Sequence, residues 1–441
     1  MRRVHHLPLG LPLAIGLLLV VALGVAAPVE GFTGFGPMSA SEQYGKAITF
    51  KVVLPGGAPD RLELLIDFGI DPDGTFVAPV EVAGSAATYT WDASDQYLTP
   101  NTPIKYRWRA TSGSTVTESA AGSLRYADNR PGLDWHSAQM GDATVHWYGS
   151  SEARARRFGD LTGGAVSRAE KVLGHTLDGP VDIFVYVTHD DFFGALGPGA
   201  REWTGAATFP GIRTVFMWLG GGSSDYLDRA LAHEVTHVVF FDATRNDFHQ
   251  APLWLNEGFA VWSEGQNADA QAATVRSEVS TGLISFSAMT DAFPIGARGS
   301  ALSYAEGTTM VDRIMRMYGD KAMSGIAAAY RTGATDDEAL RAGTGVPSAQ
   351  LFSDYFRSFG AAEPKPVPAA SIGPSIVRAG ASPATAGQGT SGPNGAPAEP
   401  ATGQGSLPLA VWAVVGVAII ALALGGLLLV RRQRRQRGDA A

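Results

Sequence analysis

The spacing of apolar positions divides the chain into stretches of different character. Between residue 32 and about residue 130 the apolar positions recur at or near every second residue. Ile48-Thr49-Phe50-Lys51-Val52-Val53-Leu54 and Arg61-Leu62-Glu63-Leu64-Leu65-Ile66 alternate in part. Ala87-Thr88-Tyr89-Thr90-Trp91 and Ile104-Lys105-Tyr106-Arg107-Trp108-Arg109 alternate more cleanly, and Thr115 to Glu118 extends the series. Side chains on a strand point to opposite faces in turn, so this period predicts strands with one face in a core. Gly56-Gly57 and Asp71-Pro72-Asp73-Gly74 supply turns between them. Short strands at this spacing predict a β-sandwich of immunoglobulin-like type over 32–130, with Tyr89, Trp91, Tyr106 and Trp108 as packing residues rather than a binding stripe.

From about Asp134 the period changes. Ala143 to Tyr148 reads as a strand, Glu152 to Leu173 as a helix, and Val181 to Val187 as a second strand. A third strand is centred on Thr214-Val215-Phe216-Met217-Trp218. That order predicts a mixed sheet packed against helices. Gly220-Gly221-Gly222 ends the third strand, and Ser223-Ser224 offers an N-cap. The next helix buries Leu227, Leu231, Val235, Val238 and Val239 on one side, which leaves its other face at a cleft. A polar loop (Asp242 to Gln250) and Pro252 then precede a second helix, roughly Leu253 to Glu264. Helices continue over about 268–281, 301–318, 321–330, 336–343 and 348–359.

The ends have another composition. Arg2 and Arg3 precede an apolar run from Leu11 to Ala27, the layout of a signal peptide over residues 1–27, with an uncleaved anchor as the alternative. Residues 361–406 are rich in Pro, Ala, Gly, Ser and Thr and predict a disordered stalk. Leu407 to Val430 is uncharged and apolar, long enough to cross a bilayer core of about 30 Å. Five arginines between Arg431 and Arg437 follow, so the tail 431–441 is predicted to be cytoplasmic. The expected localisation is the cell membrane, single-pass, with residues 131–360 outside as a catalytic domain.

Charge and cysteine content narrow the chemistry. The whole chain carries a net −8; with the two N-terminal arginines and the net +4 of the tail set aside, residues 4–430 carry −14. So acidic a body excludes nucleic acid as the expected partner. With no cysteine there are no disulfides, thiolate zinc sites or thiol nucleophiles.

The candidate chemistry lies on the two helices. His233-Glu234-Val235-Thr236-His237 puts two imidazoles four residues apart, on one helical face and about one turn from each other. Two such rings can each give a nitrogen to one divalent ion, and Glu234 lies beside them as a proton acceptor for metal-activated water. Trp254-Leu255-Asn256-Glu257-Gly258-Phe259-Ala260 follows, with Glu257 twenty residues after His237. A bare His-Glu-x-x-His arises by chance in unrelated proteins, but the uncharged flanks and the second motif raise its meaning. Asn256 and Glu264 are candidates for orienting the ligands. His189, which opens a helix as His189-Asp190-Asp191, and His249 read as surface residues, and His146 as packing.

These two motifs resemble the gluzincin zinc metallopeptidases of the peptidase MA-like group, thermolysin-like and aminopeptidase-N-like, over about residues 135–360. The metzincin alternative requires a glycine and a histidine where Phe240 and Ala243 stand. The gluzincin resemblance implies one catalytic Zn2+ held by His233, His237 and Glu257, with Glu234 as general base. Ser303-Tyr304-Ala305-Glu306-Gly307 resembles the Tyr-x-x-Gly segment of the aminopeptidase-like branch, which implies that Tyr304 donates a hydrogen bond to the tetrahedral intermediate. That branch also carries a Gly-x-Met-Glu-Asn element whose glutamate holds the substrate's amine. The corresponding region is Val215 to Gly220, with no carboxylate, so aminopeptidase specificity is not supported. That strand could still pair with a substrate backbone by edge addition.

The expectation is a multidomain chain, an all-β sandwich followed by an α+β gluzincin (thermolysin-like) catalytic domain and a C-terminal transmembrane helix. Its expected activity is hydrolysis of peptide bonds in a peptide or protein substrate. Two alternatives stand beside it: a catalytically silent, metal-binding surface or adhesion protein, and a zinc hydrolase of non-peptide substrates.

Overall fold

A computed structural model describes residues 32–69, 74–94, 97–197, 205–265, 268–294 and 296–365. The expected signal segment, transmembrane helix, basic tail and most of the stalk lie outside these residues. Among the described residues no helix is long and apolar enough to cross a membrane.

The N-terminal unit contains β1 (Met38–Gln43), β2 (Ala47–Val53), β3 (Arg61–Asp67), β4 (Thr75–Pro79), β5 (Val82–Ala83), β6 (Ala86–Asp92), β7 (Pro103–Ser112), β8 (Thr115–Glu118) and β9 (Gly122–Arg125). They form two antiparallel sheets, in the orders β1-β2-β6-β5 and β4-β3-β7-β8, with β9 also on β7. This is the partition of strands found in immunoglobulin-like sandwiches. The period-two pattern explains the shared core: Ile48, Phe50 and Val52 meet Leu62, Leu64, Ile66, Ile104, Tyr106 and Trp108. Of the four predicted packing aromatics, Trp91, Tyr106 and Trp108 are buried and Tyr89 is partly buried against them.

The second unit is built on a five-stranded mixed sheet. Its elements are β10 (His136–Met140), β11 (Ala143–Trp147), α1 (Glu152–Leu173), β12 (Val181–Tyr186), α2 (His189–Leu196), β13 (Ala206–Phe209) and β14 (Thr214–Trp218). The strand order is β10-β11-β12-β14-β13, parallel between β11, β12 and β14 and antiparallel at both ends. Ile183, Val185, Val215 and Met217 join the core with the large helices, while Phe184, Tyr186 and Phe216 pack with α2. Both faces are covered, so the central strands read as apolar runs rather than alternations.

Helices complete the unit: α3 (Ser224–Thr244), α4 (Leu253–Ser263), α5 (Ala268–Glu278), α6 (Ala297–Tyr318), α7 (Asp320–Arg331), α8 (Asp336–Thr344) and α9 (Ser348–Ser358). Helix α3 starts where the sequence signals it, with the Ser223 hydroxyl accepting from the Tyr226 N–H. The two units meet through polar contacts. The Asn101 amide donates to Asp182 and Thr214, both at 2.8 Å, and the Arg130 guanidinium donates to the Asp191 carbonyl at 2.6 Å.

Two expectations are corrected. The face of α3 that carries the histidines does not stand at an open cleft: His233, Glu234 and His237 are each only 1% exposed. The helix is enclosed by α1, α4 and the sheet, so it is buried on more than one side. The strand through Val215 to Trp218 is not a sheet edge either. Strand β14 has β12 on one side and β13 on the other, which uses both rows of its backbone groups; among the described residues β13 is the edge.

Candidate metal centre

Helices α3 and α4 are laced by polar rungs. The Thr236 and Ser263 hydroxyls are 2.5 Å apart. His237 Nδ1 lies 2.9 Å from Asn256 Oδ1, and His233 Nδ1 lies 2.8 Å from a Glu264 carboxylate oxygen. The two candidate orienting residues therefore each hold one ring. Both partners are acceptors, so each Nδ1 carries the proton and each Nε2 presents a lone pair.

Those lone pairs converge. His233 Nε2 and His237 Nε2 are 3.0 Å apart, and Glu257 Oε2 lies 3.3 Å from the first and 3.6 Å from the second. Glu257 is fully buried, and neither carboxylate oxygen accepts a hydrogen bond among the described residues. Three acceptors facing one another without a donor repel unless a positive charge sits between them. Their separations scatter around about 3.3–3.4 Å, the edge of a tetrahedron with bonds of about 2.0–2.1 Å, as zinc takes with nitrogen and oxygen. His233, His237 and Glu257 thus fit a zinc ion, and they form a group of metal-ligand atoms within 4.8 Å of one another.

The electrostatics point the same way. Burial opposes a charge on His233, yet the nearby Glu257 and Glu264 carboxylates outweigh it and hold its pKa well above the ordinary value. Burial pushes His237 down to about 4, against the pull of Glu257. Glu234 is pushed up to about 7, first by burial, with the His233 charge and the Thr208 hydrogen bond acting in the other direction.

Two glycines set where Glu257 points. A Cβ on Gly258 would lie 2.4 Å from the Gly307 carbonyl, and one on Gly307 would lie 2.6 Å from the Trp254 carbonyl. The backbones of α4 and α6 touch at this point, so the glycine of Asn-Glu-Gly and the glycine of Tyr-x-x-Gly serve one helix crossing. Tyr304, one turn earlier on α6, is buried with its ring edge-on to Phe293, 5.1 Å between centroids. His189, His249 and His146 lie outside the trio. His249 sits in the α3–α4 loop, where the Asn246 side chain accepts from its backbone N–H. His146 stacks on Phe184 and contacts Asp182.

Sequence reading missed Thr208. Its hydroxyl donates to the Glu234 carboxylate and lies 3.1 Å from the Glu234 carbonyl. The four residues of β13 are too few to register a period, and nothing local marks a threonine as the partner of a residue on another element.

With this geometry in view, the chain can be set beside known proteins. The family model described as Peptidase MA superfamily matches residues 162–359, the stretch that runs from within α1 to the end of α9. No curated protein matches the chain. Among solved structures, an M1 zinc metallopeptidase from Deinococcus radiodurans is 14% identical over 78% of this chain and 74% of its own, with a TM-score of 0.31. Aminopeptidase A from Legionella pneumophila, solved with aspartic acid, is 12% identical over 72% of this chain and 38% of its own, with a TM-score of 0.33. At such scores these likenesses carry no weight for fold or function.

Proposed function

We propose that the chain is a membrane-anchored, zinc-dependent peptidase whose catalytic unit faces away from the cytoplasm. The observation that carries this reading is the convergence of His233 Nε2, His237 Nε2 and Glu257 Oε2 within the stretch that the Peptidase MA superfamily model matches. The orientation rests on the apolar run 407–430 and the arginines behind it.

His233, His237 and Glu257 would hold a zinc ion, which would supply Lewis acidity toward a peptide carbonyl and water. The residues of the chain do the rest. Glu234 accepts a proton from the attacking water and delivers it to the departing amine as the C–N bond breaks. Its position beside His233 on α3 and its elevated pKa suit a group that must take up and release a proton near neutrality. Glu264 and Asn256 hold the imidazoles in the tautomer that turns both Nε2 atoms to the centre. Tyr304 steadies the oxygen that becomes negative in the tetrahedral intermediate. The free edge of β13 receives the substrate backbone as an added strand.

The test is Glu234→Gln in the purified full-length protein, assayed against a diverse peptide library with and without chelator. Zinc content should stay at the wild-type level while cleavage falls at least about a hundredfold. Full cleavage by this variant, or cleavage that survives chelation in the wild type, would overturn the reading.

A further inference from the structure

We propose that Thr208 is the positioning residue for Glu234, fixing the carboxylate of the base to the edge strand. This rests on the peptidase reading above and adds a residue and a role to it.

The argument starts from one hydroxyl. Thr208 is the third of four residues in β13, which is paired with β14 through Thr208 opposite Val215 and has no strand on its other side among the described residues. Its hydroxyl has a single proton and two acceptors within reach, the carboxylate and the carbonyl of Glu234. The charged acceptor makes the stronger bond, so the proton goes to Oε2. This is the one side-chain hydrogen bond of that carboxylate among the described residues. With Oε2 held, Oε1 remains to receive a proton.

The consequence is mechanical. Glu234 belongs to the helix that carries two ligands, whereas Thr208 belongs to the strand whose open edge would carry a substrate. A bond between them fixes the distance from a bound backbone to the base. Glutamate has three rotatable bonds, and a carboxylate free to turn would spend most of its time misdirected. Loss of such alignment costs about tenfold to a hundredfold in rate. Valine has the shape of threonine without the donor; serine keeps the donor on a smaller side chain.

Thr208→Val and Thr208→Ser are the test, in the full-length protein, with three readouts. The first is the rate on the best-cleaved peptide of the library. The Val variant should lower kcat about tenfold to a hundredfold with KM within about twofold, and the Ser variant should stay within about threefold of wild type. In a Glu234→Gln background, Thr208→Val should have no further effect. The second is zinc content, which should not change. The third needs no activity: the infrared band of the Glu234 carboxyl in metal-free protein, identified by its loss in Glu234→Gln, should move in the Val variant and stay in the Ser variant. An unmoved band overturns the proposal, as do equal effects of Val and Ser or a loss of zinc parallel to the loss of rate. If the wild-type protein cleaves no peptide while the band moves as described, the peptidase reading fails and the tether stands.

Discussion

The two units of this protein treat buried carboxylates in opposite ways. In and beside the sandwich, Glu63 and Asp128 are buried and both face arginine. Glu63 is paired with Arg61 and Arg109, the latter at 2.8 Å, and Asp128 takes two hydrogen bonds from Arg130. In the helical unit Glu234, Glu257 and Glu306 are buried at least as deeply, and none has an arginine or lysine ion pair among the described residues. Glu234 has a threonine hydroxyl, Glu257 has two imidazole nitrogens, and Glu306 has the Ile284 N–H at one oxygen and nothing at the other. A buried carboxylate with its own guanidinium is compensated once the chain has folded. One without it keeps an unbalanced charge that only an ion, a proton or a substrate can offset. The contrast separates carboxylates that serve the architecture from carboxylates available for chemistry.

The strongest way to break the contrast is at Glu257. Glu257→Gln removes the one anionic ligand, so zinc content of the purified protein should fall to a small fraction of wild type. Hydrolysis should drop by at least about a thousandfold. The melting temperature of the wild type should fall on chelation while that of the variant should not, because a ligand stabilises only a fold that binds it. A variant that keeps its zinc would put the metal elsewhere.

A smaller effect is expected from moving Glu257 without altering its charge. Gly258→Ala or Gly307→Ala inserts a methyl group where the α4 and α6 backbones touch, and should destabilise by about 3 kcal/mol in urea unfolding. Zinc affinity should weaken with it, since α4 carries Glu257 and Asn256 and ends at Glu264.

The contrast sharpens most in sign. Burial pushes Glu306 up to about 8, against the lesser opposing effects of the Ile284 N–H and the Arg298 charge. Its folded pKa is thus above its unfolded value of 4.5. The folded state is fully favoured below about pH 4.5, and that contribution is lost as pH rises towards 8. Glu306→Gln should therefore be nearly neutral near pH 4.5 and stabilise by about 4 kcal/mol at pH 8. Glu63→Gln should instead destabilise, by about 1 kcal/mol, because it removes the contacts with Arg61 and Arg109. That cost is modest because the side chains of Arg61 and Arg109 are 66% and 32% exposed and keep their water. Urea unfolding of both variants at the two pH values decides; the same sign for both would dissolve the distinction.

How much of this was legible in the sequence depended on whether each partner lay within a recognisable local motif. The rings of His233 and His237 are one helical turn apart, so helix geometry alone brings them together. Asn256 and Glu264 could be named as candidates because they flank Glu257 on one short helix. Thr208 could not, because it lies on a four-residue strand that adjoins neither motif, and only the packing of β13 on α3 brings it to Glu234. The edge of the sheet was assigned to the wrong strand for the same reason, since a four-residue strand has no period and its place follows from pairing.

The sequence by itself determined the sandwich strands, the order of the helices and the residues that hold the metal-ligand atoms, because periods of two and 3.6 are local properties. Tertiary structure alone decided that the helix carrying His233 and His237 is enclosed, that β13 is the edge among the described strands, that two glycines meet at one crossing, and that Thr208 holds Glu234. Each of these is a contact between elements distant in the chain, and burial and pairing depend on how those elements pack.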